Sequence, residues 1–154
     1  MPAEVVFLRR EKVLLDTSIY ISHLTRNLHS DLILHLIRSS VLHLHSIVFE
    51  ELLAGTRSDQ EIRELYRLKK PFSGAGRVVT PTDEDWETTG SFVNRLIREK
   101  SIPSRKAVSL THDILIALSA RREGIRVITE NKKDFELIYS LKEFKLTVWP
   151  AVQS

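Results

Sequence analysis

Residues 13–21 read VLLDTSIYI: a short apolar run that stops at an aspartate and two hydroxyl residues. Such a run describes a buried strand entering a turn. Asp is depleted inside strands and costly to desolvate, so Asp16 at the mouth of this strand is either a helix cap or a working group. A helix fits directly behind it, with Thr17 and Ser18 as cap candidates and Ile19, Tyr20 and Leu24 at helical spacing.

Working outward, the alternation of strand and helix continues. SDLILHLIRSS (30–40) repeats Leu32 with Leu36 and Ile33 with Ile37 at i, i+4 behind the capping pair Ser30 and Asp31. VLHLHS (41–46) alternates as a strand does, Ser46 can cap the helix IVFEELLAG, and Gly55 closes it. A charged helical stretch, DQEIRELYRLKK (59–70), is followed at Pro71 by the loop FSGAGR and a short strand at Val78 and Val79. Thr80 with Pro81, or Thr82, opens a long helix reaching about Lys100, with Asp83, Glu84 and Asp85 set against the positive end of its dipole. SIPSRKAV (101–108) reads as a loop. SLTHDILIALSARREG (109–124) reads as an amphipathic helix with cap candidates Ser109 and Thr111 and a stop at Gly124, and RVIT (126–129) and LTVW (146–149) are closing strands. Strands separated by helices predict an α/β three-layer sandwich around a roughly five-stranded parallel sheet, because parallel neighbours need helical crossovers. One domain over 1–154, with its core at about 12–149, follows from the length and from the lack of an internal repeat or a Pro-, Gly- or Ser-rich linker.

Composition narrows the chemistry. The 154 residues include no cysteine, which excludes disulfides, thiolate metal sites and a catalytic thiol. Any metal must be held by oxygen or imidazole. The longest purely apolar run, 114–118, is far short of a membrane span, and the N-terminal sequence has no long apolar signal core, so a cytoplasmic protein with no membrane partner is expected. A net charge of +3 leans towards an anionic partner such as nucleic acid.

In an open parallel sheet, functional groups gather beyond the carboxyl ends of the strands. Asp16 follows the first strand, Glu50 and Glu51 lie in the first turn after the second, and Asp134 lies just past RVIT. Asp113 stands at the start of a helix among Leu110, Ile114 and Leu115. Each has an ordinary reading: Asp16 as an N-cap, the glutamates as solvated helix residues, Asp113 as a dipole partner, Asp134 as a turn acid beside Asn131. Their placement on one sheet edge favours a shared crevice. Carboxylates crowded there repel unless a cation neutralises them, and Mg²⁺ or Mn²⁺, hard ions that prefer oxygen, suit the role.

LLDTSIYI, SIVFEELLAG, HDILIALSARREG and VITENKKDF together resemble the motifs of the PIN-domain ribonucleases, most closely the VapC-type toxins of toxin–antitoxin pairs. The resemblance spans residues 14–135 in the family's order. It implies that Asp16, Glu51, Asp113 and Asp134 are the catalytic, metal-binding acids. Glu51 is preferred to Glu50 because it directly precedes Leu52-Leu53-Ala54-Gly55. Thr17 or Ser18 matches the polar position after the first acid, and Thr129 and Asn131 match the Thr-x-Asn positions. The resemblance also implies a five-stranded parallel sheet, Mg²⁺-dependent RNA cleavage, a homodimer and a small antitoxin partner. An inhibitor of this kind would offer an Arg or Lys to the acids and lay an amphipathic helix in an apolar groove near Ile19, Leu24, Leu32 or Leu36.

Lys132 and Lys133, in a loop beside Asp134, and Arg105 and Lys106 in the preceding loop are candidate RNA-phosphate contacts. Arg95, Arg98 and Lys100 fit a solvated helix face as well. His43 and His45 share a strand face but have no third ligand at zinc spacing. SGAGR lacks the third glycine of a dinucleotide loop. Ser18 stands where aspartyl-phosphate phosphatases carry their second aspartate, which argues against that class. A catalytically silent RNA- or partner-binding module, or a non-toxin RNA-processing nuclease, are the alternatives; loss of an acid would mark the silent module, and all four are present.

Overall fold

The computed structural model describes residues 10–149; the outer ends of the expected domain, 1–9 and 150–154, lie outside them. Thirteen elements alternate along the chain: β1 (Lys12–Leu15), α1 (Thr17–Arg26), α2 (Ser30–Ser39), β2 (Val41–His45), α3 (Ser46–Ala54), α4 (Asp59–Gly74), β3 (Val78–Val79), α5 (Asp83–Arg98), α6 (Ser104–Ser109), α7 (Thr111–Glu123), β4 (Arg126–Thr129), α8 (Lys132–Leu141) and β5 (Leu146–Val148). The five strands form one parallel sheet in the order β3-β2-β1-β4-β5, with Leu14 opposite His43 on one side and Val127 on the other. Helices flank it on both faces as the three-layer α/β reading requires. Because both faces are covered, the central strands carry successive buried residues: Val13, Leu14 and Leu15 in β1, Val127 and Ile128 in β4.

Several local expectations are corrected. The predicted loop at Pro71 is the last turn of α4, which runs on to Gly74. A proline near a helix end forfeits one amide bond, and Leu65, Leu68 and Phe72 hold the helix against the core. The predicted loop 101–108 contains α6, opened by Pro103, whose fixed φ suits a helix start. Residues 109–124 are not amphipathic in their middle: every residue from Ile114 to Ala120 is buried, because the helix contacts α5, α8 and β4 at once. Lys132 and Lys133 sit in the first turn of α8 rather than in a loop.

Caps shift as well. His45, not Ser46, caps α3, its Nδ1 accepting from the Ile47 amide at 3.1 Å. His29 precedes α2 in place of Ser30 and Asp31. The Ser109 and Thr111 hydroxyls donate back to the Lys106 and Val108 carbonyls and do not cap α7. Thr82 does open α5, through a reciprocal capping box with Asp85. Asp85 then accepts from Arg122 Nε at 3.2 Å and from Ser119 Oγ at 3.4 Å, tying α5 to α7. At the far end of α7, Gly124 takes φ 68° and ends the helix before β4, a conformation that L side chains adopt only with strain.

Candidate active site

The strand order reverses between β1 and β4, and that switch point is where a parallel sheet opens a crevice. Asp16 ends β1 there. It occupies the cap position of α1, yet its side chain makes no capping bond with that helix. Instead Oδ2 accepts from Ser18 Oγ at 2.9 Å and from Thr129 Oγ1 at 2.8 Å, the latter across the switch point from the end of β4. Asp16 is only 4% exposed. Burial pushes its carboxyl above the ordinary range, and the Thr129 and Ser18 hydrogen bonds work against that rise.

Around Asp16 the other three acids take their places. Glu51 faces inward from the first two turns of α3, where its Oε1 accepts from Thr17 Oγ1 at 3.1 Å, while Glu50 is exposed. Burial raises the Glu51 carboxyl; Thr17 moderates the rise and the charge of Asp16 adds to it. Asp134 lies in the first turn of α8, with Asn131 Nδ2 donating to Oδ2 at 3.1 Å and Lys106 Nζ 2.9 Å from Oδ1. Burial alone would raise it, but the Lys106 and Asn131 hydrogen bonds and the charges of Lys106 and Lys133 hold it below the usual carboxylate range.

Asp113, at the start of α7, records the convergence. Its carboxyl is pushed up to about 7 by burial first and then by the charges of Asp16, Glu51 and Asp134, with Lys106 opposing. Asp16, Glu51 and Asp134 therefore lie close enough to Asp113 for their charges to act on it. Among the described residues, no three Asp, Glu or His side chains already form a metal cage, so an ion would have to draw these carboxylates inward and replace Lys106 on Asp134. The donor set is all carboxylate oxygen, and its net repulsion shows in Asp113. That chemistry fits a hard divalent cation.

Of the predicted supporting residues, Thr17, Ser18, Thr129 and Asn131 each hold one of the acids. Lys106 lies in the crevice as a direct partner of Asp134 and Lys133 acts on the same carboxylate through its charge. Lys132 instead lies 4.0 Å from Glu136 along α8, and Arg105 is exposed on α6. The sequence reading missed His112, whose charge opposes the rise at Glu51, and the trio Ser22, His29 and Glu130, which joins α1, the start of α2 and the turn after β4. No spacing signal marks that trio, because its members meet only through the fold.

Adjacent helix residues point about 100° apart, so only one of Glu50 and Glu51 can serve the crevice. Glu51→Gln should weaken Mn²⁺ binding by about 100-fold, the upper end of the loss on removing an outer-shell partner, whereas Glu50→Gln should keep most of it. Calorimetric titration would read both variants, and the opposite ranking would overturn the inward assignment of Glu51.

A family model described as the PIN domain matches residues 13–141, and the chain belongs to the PIN domain family. PIN domains are nucleases, which makes this crevice a candidate nuclease site. Among solved structures, DNA-bound VapBC from Salmonella typhimurium is similar at 23% identity, covering 90% of this chain and 98% of that one, with a TM-score of 0.63. VapBC2 from Rickettsia felis bound to a promoter DNA fragment is similar at 22% identity, covering 89% and 98%, with a TM-score of 0.63. VapBC-1 from nontypeable Haemophilus influenzae shares 22% identity over 89% and 97%, also with a TM-score of 0.63. At these identities the likeness is one of fold. No curated protein matches the chain, and no described helix is long and apolar enough to cross a membrane.

Proposed function

We propose that this chain is a VapC-type endoribonuclease dependent on Mg²⁺ or Mn²⁺, acting as the toxin of a toxin–antitoxin pair in the cytoplasm. The observation that carries the reading is the set of contacts that hold the acids at the switch point of a PIN-family sheet, Thr17 on Glu51 at 3.1 Å, Ser18 and Thr129 on Asp16 at 2.9 and 2.8 Å, and Asn131 on Asp134 at 3.1 Å. Asp16, Glu51, Asp113 and Asp134 would hold the ion, which when bound neutralises charge on a phosphoryl group and makes water easier to deprotonate. Thr17, Ser18, Thr129 and Asn131 orient the acids. Lys106, 43% exposed, together with Lys133, Lys132 and Arg105, provides cations for the RNA backbone. An open crevice suits single-stranded or looped RNA, whose phosphates and bases are accessible.

The same reading supplies a partner. Ile19 is buried in the core, whereas Leu32 and Leu36 line one apolar groove and Leu24 lines another. Ile21, Leu24, Leu52, Leu65 and Leu68 line an apolar groove that reaches Glu51 and has Glu61 and Glu64 on its rim. An antitoxin with an amphipathic helix and a basic residue fits both features. Leu34 and Ile37, half-exposed on α2, offer apolar surface for the homodimer.

The test is expression with and without the neighbouring small gene, together with cleavage in vitro. The protein alone should slow growth, co-expression should restore it, and purified protein should cut single-stranded RNA with Mg²⁺ or Mn²⁺ but not with a chelator. Absence of saturable binding of either ion by calorimetry would sink the metal centre. Cleavage in the tube without any effect on growth would leave a nuclease and remove the toxin.

A further inference from the structure

We propose that His29, acting through Glu130, is a positioning residue for the acidic crevice: it pins the turn between β4 and α8 so that Asp16 and Asp134 keep a fixed separation. The inference rests on the metal-centre reading above. His29 is 1% exposed and its Nε2 bonds Glu130 Oε1. An ionised carboxylate only accepts, so Nε2 carries the proton in this pair. The other carboxylate oxygen, Oε2, accepts from Ser22 Oγ at 2.9 Å, and Arg26 Nη2 reaches the same hydroxyl at 3.5 Å. The Glu130 amide donates to Ser18 Oγ at 3.1 Å. Glu130 is thus fixed at its main chain and at both side-chain oxygens.

Its two neighbours in the chain are the residues that hold acids. Thr129 donates to Asp16 Oδ2 at 2.8 Å and also accepts from the Asn131 amide at 2.9 Å. Asn131 donates to Asp134 Oδ2 at 3.1 Å and accepts from the Asp134 amide at 3.4 Å. A rotation of the Glu130 peptide would therefore move Thr129 and Asn131 together and alter the gap between the two carboxylates. Ser18 reinforces the coupling, because the hydroxyl that receives the Glu130 amide also donates to Asp16.

Packing alone gives no reason for a histidine here. Its Nδ1 is buried without a hydrogen-bond partner among the described residues, a cost that an aliphatic side chain would avoid. What the imidazole supplies is the Nε2 contact with Glu130. Groups bonded directly to a metal's ligands orient them, and their loss typically weakens binding about 10- to 100-fold; His29 acts one step further out, through Glu130, on the residues that make those bonds.

The experiment compares Mn²⁺ binding by calorimetry in wild type, His29→Leu, His29→Gln and Glu130→Ala, with melting temperature and circular dichroism as controls for folding. His29→Leu should remain folded and bind Mn²⁺ severalfold more weakly, a smaller loss than removing a group bonded directly to a ligand. His29→Gln, whose Nε2 can donate to Glu130 in the same way, should recover most of that loss. Glu130→Ala should weaken binding like His29→Leu, and it decides the matter should the leucine variant not fold. Wild-type affinity in folded His29→Leu and Glu130→Ala would overturn the positioning role and leave the metal centre standing. A glutamine variant as weak as the leucine one would also overturn it, since the restored contact would then count for nothing. Failure of wild type to bind Mn²⁺ would remove both readings.

Discussion

Asp113→Asn should raise the melting temperature of the metal-free protein at pH 8 by about 8–16 °C while abolishing the proposed RNA cleavage. The wild-type carboxyl titrates at about 7, lifted by burial and then by Asp16, Glu51 and Asp134. Holding it ionised in the folded state costs on the order of 4 kcal/mol, and in a domain of this size each kcal/mol moves the melting temperature by about 2–4 °C. The sign follows from the raised value. The folded protein binds a proton at Asp113 more readily than the unfolded chain, so the penalty is absent below the ordinary value of 3.8, grows as pH rises towards about 7, and is complete above it. The asparagine gain should therefore be full at pH 8 and should shrink towards pH 4. Thermal scans at several pH values would check it; a gain independent of pH, or none at pH 8, would refute the electrostatic origin. Saturating Mg²⁺ should narrow the difference by stabilising wild type more than the variant.

Asp16→Asn should lower cleavage by more than about 100-fold, past the upper end of the usual outer-shell loss, and should leave the fold intact. An amide oxygen can still accept from Ser18 and Thr129, which now donate at 2.9 and 2.8 Å, so the local geometry survives. The charge at the switch point does not. Parallel measurements of cleavage rate, Mn²⁺ affinity and melting temperature would separate the two effects. An asparagine variant that cleaves at the wild-type rate would mean that the centre lies elsewhere.

The strand pattern was legible because it depends on short-range signals. Apolar runs ending in polar residues gave away β1, β2 and β4, and an acid just past a parallel strand is a candidate by its position alone. Glu51 over Glu50, Thr129 and Asn131 were marked by the family motif, and Thr17 and Ser18 both by that motif and as cap candidates. Pro71 misled because helix-breaking is a local preference, and packing by Leu65, Leu68 and Phe72 outweighs it near a helix end. The buried middle of α7 was hidden for a related reason: its polar ends suggest a two-faced helix, and only the fold reveals three neighbours around the centre. His29 and Glu130 are 101 positions apart, beyond any periodicity. The Lys106 contact with Asp134 was half legible, since a cation near an acid can be expected, but its pairing depends on how α6 folds back.

The strand order has a consequence for synthesis. β1 precedes the other described strands but lies at the centre of the sheet, and one of its two partners, β4, follows it only after β2, β3 and the helices between them. The Thr129–Asp16 hydrogen bond bridges 113 positions, so the crevice closes only after almost every other element has been translated. Sheets assembled from such distant segments fold slowly, because loop closure precedes the contacts that reward it. A growing chain on the ribosome, surrounded by RNA, carries Asp16 and Glu51 but neither Thr129 nor Asp134 until its last strands emerge. Topology thereby delays the assembled site until β4 and the start of α8 have been made.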